Sequence, residues 1–241
     1  MTQSPMTRRT LFALGAPAAL VAFAACSKSS SGTSNSTTSK SVSTPDNVVS
    51  FNWPEITETE LRDDTGYHLN KLVDGAPTVT LYNDYAVFEC AKAELAYEKA
   101  AKDLEGTMNV TVRNMPLPAH KNAIPAAQAV QAAELQDKHL EMANKLFETQ
   151  DSWKDITEQT EFAGVLLSYA QELGLDEEKF KTDLVDPKTI DLIKGDFEYG
   201  QKIGVKGTPQ FVVNDKPLEN VDSSTSAEDM VKEFKKAAGL S

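Results

Sequence analysis

Cysteine is nearly absent: Cys26 and Cys90 are the only two in 241 residues. A secreted domain stapled by disulfides carries four or more at regular spacing, so this fold must rest on an apolar core. Basic charge is also short, with 24 Lys and Arg against 36 Asp and Glu and a formal charge of −12. Nucleic-acid binding needs a clustered basic face, and none is visible. The acidity itself reads as solubility. Histidine is scarcer still, and His68, His120 and His139 lack the paired spacing of a metal site. Neither a metal nor another cofactor is expected. Gly204 and Gly207 do not make a phosphate loop. The many carboxylates fall mainly on helical faces, where solvated charge is the default, and no pair among them stands out. No internal repeat is present.

What is there begins with an export signal over residues 1–25. Arg8 and Arg9 precede an uncharged, Ala- and Leu-rich run from Leu11 to Ala25. That run is too short for a comfortable membrane span, and small residues close it. Thr7-Arg8-Arg9-Thr10-Leu11-Phe12 resembles a twin-arginine signal, although paired arginines also open ordinary export signals. Phe23-Ala24-Ala25-Cys26 resembles the lipobox of bacterial lipoproteins, with Phe23 where Leu is usual. The resemblance implies lipidation of Cys26; the alternative is a spare cysteine at a cleavage site. Residues 27–45 are almost entirely Ser, Thr, Lys, Gly and Asn. Such a stretch cannot bury enough apolar surface to fold, so residues 26–46 are expected to be a lipidated cysteine and a disordered tether. The folded domain is assigned to residues 47–241.

Within it, Val48 to Lys71 is poorly patterned. Thr78 to Tyr82 is rich in β-branched and aromatic residues and predicts a strand, with Pro77 tolerable just before it. Ala91, Leu95, Ala96 and Leu104 recur at helical spacing, so a helix is expected from about Cys90 to Leu104, ended by Gly106. Met108 to Val112 predicts a second strand, and strand–helix–strand favours a parallel pair with a right-handed crossover. From Ile124 to about Phe197 the pattern is helical throughout, with Asp176 capping one helix and Pro187 in the first turn of the next. Gln210 to Val213 reads as a strand, Asn214-Asp215 as a turn, Pro217-Leu218 as an edge strand and Ser226 to Ala238 as a closing helix. Trp53 and Trp153 are expected in the core or at its rim. The fold class is therefore α/β, ordered βαβ, a helical insertion at about 119–186, then ββα.

That order is the thioredoxin-like fold with an insertion, and particular residues resemble DsbA-like thiol–disulfide proteins from about Ala76 to Ala238. Asp84-Tyr85 looks like the family's approach to its CxxC motif. Met115-Pro116-Leu117, His120, Asn122-Ala123 and Pro125-Ala126-Ala127 look like its loop into the insertion. Gly174-Leu175-Asp176 with Phe180, Gly204 to Pro209, and Val213-Asn214 resemble its closing half. The resemblance implies that Thr208-Pro209 is a cis bond beside the active site and that Thr208 offers its main chain to an extended peptide.

By the same resemblance the CxxC positions are Val87-Phe88-Glu89-Cys90. The first cysteine would sit at a helix N-terminus, where exposed amides and the dipole lower its pKa. Valine offers no nucleophile, so a dithiol cycle within this site is excluded. Cys90 is either a shielded core residue, with Glu89 opposing and Lys92 partly favouring a thiolate, or a single reactive thiol. Two functions are thus expected. In the first, a groove around Val87, Phe88, Glu89, Thr208 and Pro209 binds envelope polypeptides, or the chain is an accessory subunit of an envelope complex. In the second, Cys90 is the catalytic residue of a monothiol oxidoreductase or isomerase. Either would act at the extracytoplasmic face of the cell membrane, anchored through Cys26.

Overall fold

The computed structural model describes residues 66–240. The signal, Cys26, the tether and Trp53 lie outside them. The elements run β1 (Tyr67–His68), β2 (Thr78–Asn83), α1 (Phe88–Asp103), β3 (Asn109–Asn114), α2 (Ala123–Glu134), α3 (His139–Glu148), α4 (Gln150–Trp153), α5 (Gln159–Glu172), α6 (Glu177–Leu184), α7 (Pro187–Lys202), β4 (Gln210–Val213), β5 (Lys216–Pro217) and α8 (Ala227–Ala237).

The sheet order is β1-β3-β2-β4-β5. β2 and β3 pair in parallel, Thr78 opposite Asn109 through Asn83 opposite Asn114. β4 lies antiparallel on the other side of β2, with Leu81 opposite Phe211. Side chains alternate across this sheet, so Val79, Leu81, Val110, Val112, Phe211 and Val213 all belong to the main core. The Tyr97, Phe211 and Phe234 rings meet there at 5.4–5.9 Å, joining α1, β4 and α8. On the opposite face Tyr82 and Val212 form a smaller cluster with Met115, Phe197 and Val205. α7 approaches that face closely because Gly200 lets the Tyr82 ring in: a Cβ there would lie 2.7 Å from Tyr82 Cε1.

α2 is buried along almost its whole length. Its alanines let neighbouring helices pack closely around it, which makes it the axis of the insertion. Trp153 is a core residue, stacked on Phe162 at 5.1 Å and donating its indole N–H to Leu146 O at 2.8 Å. Asp176 caps α6 through Lys179 N at 2.9 Å, and Pro187 occupies the first turn of α7. Asn214 and Asp215 take positive φ in the β4–β5 turn, a conformation Asn and Asp tolerate.

The edge strand β5 is Lys216–Pro217, one residue earlier than the expected Pro217-Leu218, and three further elements differ from expectation. α1 begins two residues early, at Phe88, because the chain already turns at Asp84: Asp84 Oδ1 accepts from Ala86 N at 2.8 Å and Val87 N donates to Asp84 O at 3.1 Å. The second strand is shifted to Asn109–Asn114 by its pairing with β2. β1 was not predicted; its two residues carry no periodicity and are ordered by β3, with Tyr67 opposite Val112.

Candidate functional site

Three elements converge at the first turn of α1. Val87 is its N-cap residue, extended at φ −95° and ψ 123° with no side-chain cap. It is half-buried, Phe88 is 57 % exposed, Glu89 is exposed and Cys90 is 0 % exposed. Lys92 lies over the Phe88 ring, 4.5 Å from its centroid. The loop before β4 supplies Thr208 and Pro209, both half-buried and joined by a cis peptide, as the resemblance implied.

Of these residues Thr208 lies near enough to Cys90 to bear on its thiol, but its Oγ1 is buried without a hydrogen-bond partner. Burial pushes the Cys90 thiol far up; a main-chain hydrogen bond with Asp84 and the Thr208 hydroxyl pull the other way, and the carboxylates of Asp84 and Glu94 push up again. Burial wins, so the group is a neutral thiol at ordinary pH. Val87, Phe88 and Glu89 share the helix tip but bring no acid, base or nucleophile into contact with Cys90.

Two residues at the site were not among the sequence candidates. His120 places Nδ1 2.8 Å from Asp84 Oδ2. The same oxygen accepts from Leu117 N at 2.8 Å. Asp84 thus ties the approach to α1 to the loop into the insertion. Glu94 is the second. It is fully buried beneath the first turn, accepting from Tyr67 OH at 3.0 Å and from the Asn83 amide. Tyr67 OH also lies 3.1 Å from Tyr85 OH. Burial pushes the Glu94 carboxyl up to about 8, against the lowering effect of Tyr67 and Asn83. Asn83 Oδ1 is buried without a partner, so rotating its amide would let it accept the proton of a neutral Glu94. The signal was present in the sequence: Glu94 falls on the apolar stripe of Cys90, Ala93, Tyr97 and Ala101.

Among the described residues no group of three or more His, Cys, Asp and Glu side chains is placed to hold a metal ion. His139 pairs with Glu134 and packs at a tilt against the Tyr67 ring, while His68 Nδ1 lies 3.0 Å from Thr111 Oγ1. No helix among them is long and apolar enough to cross a membrane.

Comparison with known proteins places this geometry. A family model described as Thioredoxin matches residues 74–235. Among solved structures, oxidoreductase DsbA from Xylella fastidiosa superposes with a TM-score of 0.57 at 17 % identity, covering 72 % of this chain and 90 % of that one. A thioredoxin-like oxidoreductase from Silicibacter pomeroyi gives 0.55 at 23 % identity, covering 70 % and 90 %. Curated relatives include the Na(+)/H(+) antiporter NhaA 3 of Salinispora tropica, 33 % identical over 138 residues (57 % of this chain, 20 % of the antiporter). NhaA 1 of Mycolicibacterium vanbaalenii is 29 % identical over 152 residues, 61 % of this chain and 23 % of that protein. The chain therefore spans about a fifth of the length of those relatives. The family model covers most of the domain, and the solved structures align over about nine-tenths of their length: the chain belongs to the thioredoxin family and has the DsbA-like form of its fold.

Proposed function

We propose that the chain is a polypeptide-binding member of this family that works without a dithiol–disulfide cycle. One observation carries the reading. The N-cap of α1, where a family nucleophile would draw on the helix dipole, holds Val87, and the cysteine one turn further in is buried with its thiol pushed up. The motif is in this reading a CxxC reduced to Val87-Phe88-Glu89-Cys90. Val87, Phe88 and Glu89 on one side and Thr208 and Pro209 on the other border a groove for an extended envelope polypeptide, paired to the main chain of Thr208. The leader exports the chain, Cys26 is lipidated, and the tether holds the domain at the extracytoplasmic face of the cell membrane.

The test is capture of partners from an envelope extract, followed by calorimetry with peptides from the captured proteins. Binding of equal strength in the wild-type chain and in Cys90→Ser, under reducing conditions, is expected. Failure of every partner and peptide to bind contradicts the reading.

One observation favours a monothiol enzyme instead: the main chain of Asp84 and the Thr208 hydroxyl both stabilise a Cys90 thiolate. That alternative requires thiol transfer that disappears in Cys90→Ser; equal turnover in the variant removes it.

A further inference from the structure

A second surface borders the same helix tip, on the side of α1 that faces the insertion. The first turn of α1 and the corner between α3 and α4 enclose a depression of about 370 Å³. Its apolar surface comes from Phe88, Ala91 and Phe147. Phe147 is fixed from behind by the Tyr85 ring at 5.3 Å, so that wall is rigid. The polar groups of the corner are already engaged with the protein. Thr149 Oγ1 donates to Lys145 O at 2.7 Å, Gln150 Nε2 donates to Tyr85 O at 2.7 Å, and Ser152 Oγ donates to Thr149 O at 2.6 Å. What remains to meet a ligand is apolar surface and two carboxylates, Glu148 and Asp151.

Those carboxylates differ. Asp151 is neutralised by Lys154 at 2.5 Å. Glu148 is exposed and has no ion-pair partner among the described residues; Lys145, the cation that feels its charge, is held by Glu172 at 2.6 Å. The lining itself carries no cation, and the one at its lip, Lys92, lies over the Phe88 ring. An apolar socket with Glu148 outside any ion pair on its rim disfavours an acidic ligand and favours an apolar group flanked by positive charge.

We propose that this depression is a specificity socket for a large apolar side chain, aromatic or leucine-like, whose neighbour in the bound polypeptide is Lys or Arg. The volume suits one such side chain together with parts of its neighbours. Exposed Phe88 forms the lip shared with the helix tip, so a polypeptide crossing the tip can drop one side chain between Phe88 and Phe147. This rests on the polypeptide-binding reading above and names its substrate class.

The experiment uses the full chain and three labelled peptides of one length, alike except for a central Phe-Lys, Ser-Lys or Phe-Glu pair, followed by fluorescence anisotropy. The Phe-Lys peptide is expected to bind about tenfold more tightly than Ser-Lys, the effect of burying one ring. It is expected to bind about threefold more tightly than Phe-Glu at low salt, the scale of a rim charge. Ala91→Trp, which fills the socket, should abolish the Phe preference. Glu148→Lys, at an exposed position, should reverse the Lys preference while keeping the Phe preference, so it decides the matter even if the tryptophan variant misfolds. Equal binding of all three peptides, or preferences untouched by Glu148→Lys, overturns the socket and leaves the groove reading standing. Absence of binding by every peptide overturns both.

Discussion

At the scale of single residues, the chemistry of the site is set by what stands at two positions of one helical turn. A valine at 87 cannot attack a disulfide, and a cysteine at 90 that is fully buried keeps its proton because burial outweighs the hydrogen bonding that favours a thiolate. Position 87 is therefore the sharpest place to perturb: Val87→Cys is expected to form a reducible disulfide with Cys90 and, on the proposed reading, to reduce insulin where the wild-type chain does not. Free thiols in the variant after mild oxidation would show that the helix tip does not present position 87 to Cys90. Glu94 makes a different prediction. Its carboxyl is pushed up to about 8 in the folded chain from an ordinary value of 4.5. Between those values the native state holds a proton that the unfolded state has released, so stability falls as pH rises through this window and levels off above it. The loss accumulates at about 1.4 kcal/mol per pH unit at most. Glu94→Gln should flatten that slope in urea unfolding from pH 5 to pH 9; an unchanged slope would assign it to other groups.

At the scale of elements, contacts between segments distant in sequence decide what local pattern leaves open. Gly200 shows no special φ, and nothing in the α7 sequence marks it, yet its missing side chain is what seats α7 against Tyr82. Gly200→Ala is expected to destabilise the protein by about 1–3 kcal/mol, the usual cost of overpacking, despite alanine's better helix propensity. A thermal midpoint equal to or above wild type would mean that α7 shifts away without loss. The same distinction explains what the sequence revealed. α5, α6, α7 and α8 follow from periodicity and caps such as Asp176 and Ser226, because those signals act within a few residues. The edge strand β1 and the Asp84–His120 contact depend on partners 36 or more residues away in β3 and in the loop beyond it, whereas the early start of α1 follows from a local turn at Asp84 that apolar periodicity does not register. Glu94 was readable, since a carboxylate on an apolar stripe announces a buried acid; its tyrosine partners were not.

At the scale of the whole molecule, the order of strands and helices was legible because the thioredoxin fold strings its sheet in a fixed sequence around one insertion. The site was legible only as residue positions, since Thr208 and Cys90 lie 118 positions apart and the pairing of β2 with β4 brings their segments together. On the proposed reading, this arrangement keeps the family's scaffold around the helix tip and removes the dithiol chemistry from it. The measurement that tests this most directly is the alkylation rate of Cys90 against pH in the folded chain carrying Cys26→Ser. The account predicts negligible labelling from pH 6 to pH 9, with full labelling only after denaturation. Rapid labelling of the folded protein, with a midpoint below the ordinary thiol value of about 8.5, would contradict it and make Cys90 an active thiol.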